Sequence, residues 1–88
     1  MSKIEIILSE QINSDLGSRN KIEKLYQNIP EDVSKVVMNF KGVEFMGRAF
    51  AQEYLNQKDN ATFEVVEVNI PEDVEKLFNL ILEINGHL

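Results

Sequence analysis

Ser34-Lys35-Val36-Val37-Met38-Asn39-Phe40-Lys41-Gly42-Val43-Glu44-Phe45-Met46-Gly47-Arg48-Ala49-Phe50-Ala51-Gln52-Glu53 reads as a strand that runs through a short loop into a helix. From Val36 to Phe40 it is apolar on both alternating faces, the pattern of a central strand covered on both sides by helices, with Asn39 the polar exception. Lys41-Gly42 makes the turn. A helix from about Gly47 to Gln57 then sets Phe50, Ala51, Tyr54 and Leu55 on one side and Arg48, Ala49, Gln52 and Asn56 on the other. The first side is suited to packing and the second to binding.

On the N-terminal side, Lys3 to Leu8 alternates and then turns solidly apolar, which predicts a first strand. Residues 9–17 form a polar connection, long enough to be mobile, ending in the turn Asp15-Leu16-Gly17-Ser18, with Ser18 placed to cap a helix. Ile22, Leu25, Tyr26 and Ile29 follow at helical spacing, and Pro30 stops them. On the C-terminal side Asp59-Asn60 reads as a turn and residues 62–68 as a β-branched strand, whose glutamates suit a position near the sheet edge. Pro71-Glu72-Asp73 opens a last helix with Asn69 or Ile70 at its cap, and Asn85-Gly86 ends it. Three strands alternating with three helices predict an α/β fold with a parallel sheet and right-handed crossovers, in a single domain spanning residues 1–88.

Composition excludes several classes. Without cysteine there are no disulfides and no thiolate metal sites, which fits a reducing cytoplasm. No apolar run approaches a membrane span, and the net charge of −6 disfavours a nucleic-acid backbone. The one histidine is His87, next to the end, and every serine (Ser2, Ser9, Ser14, Ser18 and Ser34) precedes the loop, so a nucleophile with its base is not in sight. Glu31-Asp32 and Glu72-Asp73 each follow a proline at a helix start, where the helix dipole accounts for them. The chain reads as a non-enzyme, with no metal and no cofactor.

The loop at residues 41–48 is the best site candidate, because open α/β sheets place ligands beyond the carboxyl ends of their strands. Amides near Gly47, with Lys41 and Arg48, are an anion-binding candidate for a phosphate or nucleotide; the competing account is that Gly42 and Gly47 only permit a turn and close packing. The last helix carries Val74, Leu77, Phe78, Ile81 and Ile84 as a stripe, which Leu80 and Leu82 widen to about 200°. That arc suits either a deeply buried helix or a homodimer through the C-terminal helix.

Four segments in this order carry a resemblance: Leu16-Gly17-Ser18-Arg19 ahead of an amphipathic helix, Val36 to Phe40 followed by Gly42-Val43, Phe50-Ala51-Gln52-Glu53, and Asn69 to Val74. Over most of the chain they resemble the STAS-like domains, a group of domains of unknown function related to the STAS domains and the anti-sigma-factor antagonists. The resemblance implies a small sandwich with a mostly parallel central sheet of three to four strands flanked by helices. It also implies a bacterial-type regulatory module that acts by docking to a protein, notably an ATPase of the histidine-kinase-like type. The partner-binding set it points to is Lys41, Glu44, Met46, Gly47, Arg48, Ala49, Gln52 and Asn56. In the best understood members a serine at the start of the helix after the central strand is phosphorylated by that partner; here the position falls at about Arg48 or Ala49, which lack the hydroxyl. Asn39 and Gln52 stand where relatives often carry aspartates. A small-anion or nucleotide sensor and a homo-oligomeric assembly component are the alternative readings.

Overall fold

The computed structural model describes residues 2–12, 15–17 and 19–84. Its elements are β1 (Ser2–Ile7), α1 (Leu8–Gln11), β2 (Asp15–Leu16), α2 (Arg19–Gln27), β3 (Val33–Asn39), β4 (Phe45–Met46), α3 (Arg48–Asn60), β5 (Glu64–Val68) and α4 (Glu72–Ile84). β1, β3 and β5 form a three-stranded parallel sheet in the order β1-β3-β5, flanked by helices, so the expected α/β class holds and the glutamate-bearing β5 is an edge strand.

The strand order advances in one direction without a reversal. Right-handed crossovers that keep advancing the same way stack their helices on the same face of a sheet. That face carries Ile4, Ile6, Val36, Met38, Phe40 and Val65, which lie in the core or pack against it. Ile22 and Tyr26 of α2, Phe50, Ala51 and Tyr54 of α3, and Val74, Phe78 and Ile81 of α4 join it in the core. Aromatic rings join the three helices to the sheet: Phe40 meets Tyr54 and Phe78 edge-on at 5.8 and 6.1 Å, Tyr54 stacks on Phe78 at 5.3 Å, and Tyr26 meets Tyr54 edge-on at 6.3 Å. Such pairs add about 0.5–1.5 kcal/mol each beyond area burial.

The opposite face departs from the expectation of a β3 covered on both sides. There the register lines up Lys3, Lys35 and Glu64, then Glu5, Val37 and Val66, then Ile7, Asn39 and Val68. Lys3, Glu5 and Glu64 are exposed, and Ile7, Val37, Val66 and Val68 are half-buried and neither belong to the core nor pack against it. The double-sided hydrophobic pattern of β3 therefore has only one covered side among the described residues.

Three local expectations are also corrected, and two fall outside the described residues. Leu8–Gln11 is a helical turn with Leu8 fully buried, and Asp15–Leu16 is a strand paired in parallel with Phe45–Met46, so these parts of the 9–17 connection are pinned. Ser18, the expected cap, and Asn85-Gly86, the expected stop, lie outside the described residues. Asp59-Asn60 is the last turn of α3, which the sequence ends too early because both residues have low helix propensity. At α4 the first helical hydrogen bond runs from the Glu75 N–H to the Pro71 carbonyl at 3.0 Å, so the helix is capped at Pro71 and not at Asn69 or Ile70.

Candidate functional site

The loop between β3 and α3 is tied down at both ends. Asn39 Oδ1 accepts the Lys41 N–H at 2.9 Å and Ser9 Oγ donates to the Lys41 carbonyl at 2.9 Å. Gly42 then turns with φ of 85°, a left-handed conformation that favours glycine, and the Val43 N–H donates to the Phe40 carbonyl at 3.1 Å. At the far end β4 pairs with β2, the Gly47 N–H donates to the Leu16 carbonyl at 2.9 Å, and the Gly47 carbonyl accepts the Ala51 N–H at 3.0 Å to start α3.

Val43 and Met46 point into the core, 7% and 6% exposed. Met46, expected among the binding residues, is therefore a core residue whose burial fixes the loop. Lys41, Glu44, Arg48 and Ala49 are exposed, Gly47 is half-buried, and Phe45 stands 54% exposed. The α3 face expected to be free is free: Arg48, Gln52 and Asn56 succeed each other at four-residue spacing, exposed at Arg48 and Asn56 and half-buried at Gln52. Gln52 and Asn56 continue into a groove of about 510 Å³ between α3 and α4, lined also by Leu55, Lys58, Asp59, Ile81 and Leu82.

Sequence reasoning missed Phe45 as a surface residue and α4 as a wall of this groove. An isolated Phe-Met pair gives no hint of which side chain faces inward; the β2–β4 pairing decides it.

The anion-binding candidate loses a donor. The Gly47 N–H is already used by Leu16, and among the described residues the strand order has no reversal and so no switch-point crevice at the carboxyl ends of the strands. A Cβ on Gly47 would find its nearest neighbours at 3.6 and 3.7 Å, ordinary contact distance, so nothing there requires glycine.

Asn39 has a structural reason to be an amide. Its Nδ2 donates to Glu5 Oε2 at 2.9 Å while its Oδ1 accepts from the Lys41 N–H and from Asn69 Nδ2 at 3.0 Å. Asn69 itself sits at φ of 57°, a conformation asparagine tolerates better than most residues. An aspartate at position 39 would face the Glu5 carboxylate with no proton between them. Asn39→Asp is expected to lower stability at neutral pH by about 1 kcal/mol, read as a fall in the urea midpoint, and Glu5→Gln should recover the loss. Equal losses in both backgrounds would show that the Glu5 contact is not the cause.

Behind the loop, Tyr54 Oη donates to Glu67 Oε2 at 2.7 Å and Lys58 Nζ reaches the same oxygen at 3.2 Å. Tyr26 Oη is buried with no hydrogen-bond partner among the described residues. Burial first, and the nearby Glu67 charge second, push both phenols above their ordinary value, so neither exchanges a proton near neutral pH. Among the described residues no three His, Asp or Glu side chains gather as a metal set, and no helix is long and apolar enough to cross a membrane.

Compared with models of protein families, with curated proteins and with solved structures, the chain matches none.

Proposed function

We propose that this chain is a non-enzymatic regulatory module of the cytoplasm that docks to a partner protein through Phe45, Arg48, Ala49, Gln52 and Asn56. The observation that carries this reading is Phe45. An aromatic side chain more than half exposed, on a strand held by a ladder, next to the exposed Arg48, has the composition of a docking hot spot. The resemblance to STAS-like domains supplies the partner class, an ATPase of the histidine-kinase-like type. Arg48 is a fixed positive charge on a chain of net charge −6, which favours an acidic patch on that partner. With arginine and alanine at the start of α3, docking is not switched by phosphorylation at that position.

Two other readings have less support. The nucleotide or anion sensor draws on the amides near Gly47, of which the Gly47 N–H is already given to the Leu16 carbonyl. Assembly through α4 rests on its exposed Leu80, Leu82 and Ile84, but Leu80 and Ile84 lie on one flank and Leu82 on the other, with the buried stripe between them.

Affinity capture from native cell extract tests the proposal with the wild type, Phe45→Ser, Arg48→Glu and, as a control on the outer face of α4, Glu83→Ser. The expected result is a partner retained by the wild type and by Glu83→Ser, weakened about tenfold or more by Arg48→Glu and lost with Phe45→Ser, while all four proteins keep the same melting temperature. The same proteins captured by all four would remove the loop and α3 from the proposal. A phosphate adduct mapped to residues 41–56 after incubation with that partner and ATP would overturn the constitutive part.

A further inference from the structure

The uncovered face of the sheet is a second surface, independent of the loop and α3. All-parallel sheets are found almost only with both faces covered, because their strands are apolar on both sides. Here Ile7, Val37, Val66 and Val68 form the apolar part of a face that no described residue covers. Its charges are Lys3, Lys35, Glu5 and Glu64, a balance of zero on a chain whose net charge is −6. Two copies meeting through this face bring no excess of either charge sign together there.

The geometry points to a second copy of this chain as the cover, packed face to face about a twofold axis that runs along β3. Rotation about that axis places β1 across from β5 of the other copy at the same height. Lys3 then meets Glu64 of the other copy, Ile7 meets its Val68, and Val37 meets its own equivalent; each of the first two pairs occurs twice. Glu5, tied to Asn39 within its own copy, lies across from Val66 of the other at the lateral margin of the contact. Lys35 meets its equivalent at the N-terminal margin of the sheet, where a long side chain can turn its ammonium outward to water. A twofold axis set across the strands does worse, because it stacks Glu5 on its own equivalent and sets Lys3 on Ile7 and Glu64 on Val68. The patch is three strands wide, at about 4.8 Å per strand, and five residues long, at about 3.3 Å per residue, so the contact is small and the dimer weak.

The register gives a test that an interface through α4 or the loop does not pass. Lys3 and Glu64 lie on opposite edge strands of one copy, with β3 between them, and are not neighbours within it. Sedimentation velocity from about 10 μM to about 1 mM should show a monomer–dimer equilibrium for the wild type. Lys3→Glu and Glu64→Lys should each weaken the dimer about tenfold, and the double exchange should restore it. Val37→Asp should abolish it without altering the circular dichroism of the monomer.

A monomer at every concentration would overturn the proposal. So would a dimer in which the double exchange weakens association as the sum of the single ones, or one abolished by Leu80→Ser/Ile84→Ser and not by Val37→Asp, which would place the contact on α4.

Discussion

Raising the pH above about 10 is expected to unfold this protein cooperatively, with both of its tyrosines ionising in the same step. Tyr54 is fully buried and Tyr26 nearly so, and both phenols are raised above the ordinary value, by burial first and by the Glu67 charge second; Tyr54 is raised further by Tyr26 and by its hydrogen bond to Glu67. A raised pKa in the folded state means that the native protein keeps protons the unfolded chain gives up. The stabilisation is therefore complete below about pH 10 and is lost as the pH rises beyond it, by about 1.4 kcal/mol per tyrosine for each further unit. Two tyrosines acting together exhaust the stability of a small domain, of order 5 kcal/mol, by about pH 12. The chain has only these two tyrosines, so phenolate absorbance reads them without background. It should rise in one step that coincides with the loss of helical circular dichroism. Phenolate appearing near pH 10 while the circular dichroism stays native would show that one ring is accessible. Tyr26→Phe removes the buried hydroxyl that lacks a partner among the described residues, so it should raise stability at neutral pH by about 1 kcal/mol and reduce the alkaline slope to that of one tyrosine.

Gly42→Ala is the substitution expected to damage the fold most for the least change in size. At φ of 85° any side chain is strained by about 1–2 kcal/mol, and a Cβ there would stand 2.8 Å from Ser9 Oγ and 3.2 Å from Ser9 Cβ. Ser9 must then move, which sacrifices its hydrogen bond to the Lys41 carbonyl, about another 1 kcal/mol. A loss of about 2–3 kcal/mol should lower the melting temperature by 10 °C or more. In a Ser9→Gly background the steric part disappears and Gly42→Ala should cost only the backbone strain. Gly47→Ala should leave stability nearly unchanged, since its new Cβ makes only ordinary contacts. If both glycines tolerate alanine equally well, the left-handed turn does not constrain the loop.

The strands and the three long helices were legible because each carries its own periodic pattern. Ile22, Leu25 and Tyr26 declared one face of α2, and Phe50, Ala51 and Tyr54 one face of α3, from spacing alone. What escaped depends on partners distant in sequence. Two residues cannot show a period, so the pairing of Asp15–Leu16 with Phe45–Met46 was invisible, and with it the burial of Met46, the exposure of Phe45 and the use of the Gly47 N–H. The second apolar face of β3 was read correctly as apolar and wrongly as covered, because Val37 carries no information about the strand order that leaves it bare. Asn39 was conspicuous as a polar residue at a strand end, but its role follows from Glu5 and Asn69, which lie 34 and 30 residues away.

The steady advance of the strands from β1 through β3 to β5 has a consequence for growth. In a doubly wound sheet the winding reverses midway, which puts helices on both faces. This winding does not reverse among the described residues: another strand and helix added beside β5 would repeat the rise already made twice and meet a neighbour of the same kind. The outer strands are kept from spontaneous edge pairing by charge, with Lys3 and Glu5 on one and Glu64 and Glu67 on the other. Architecturally the domain is a short length of an open spiral, whose ends are defined by a few ionised side chains and not by its geometry.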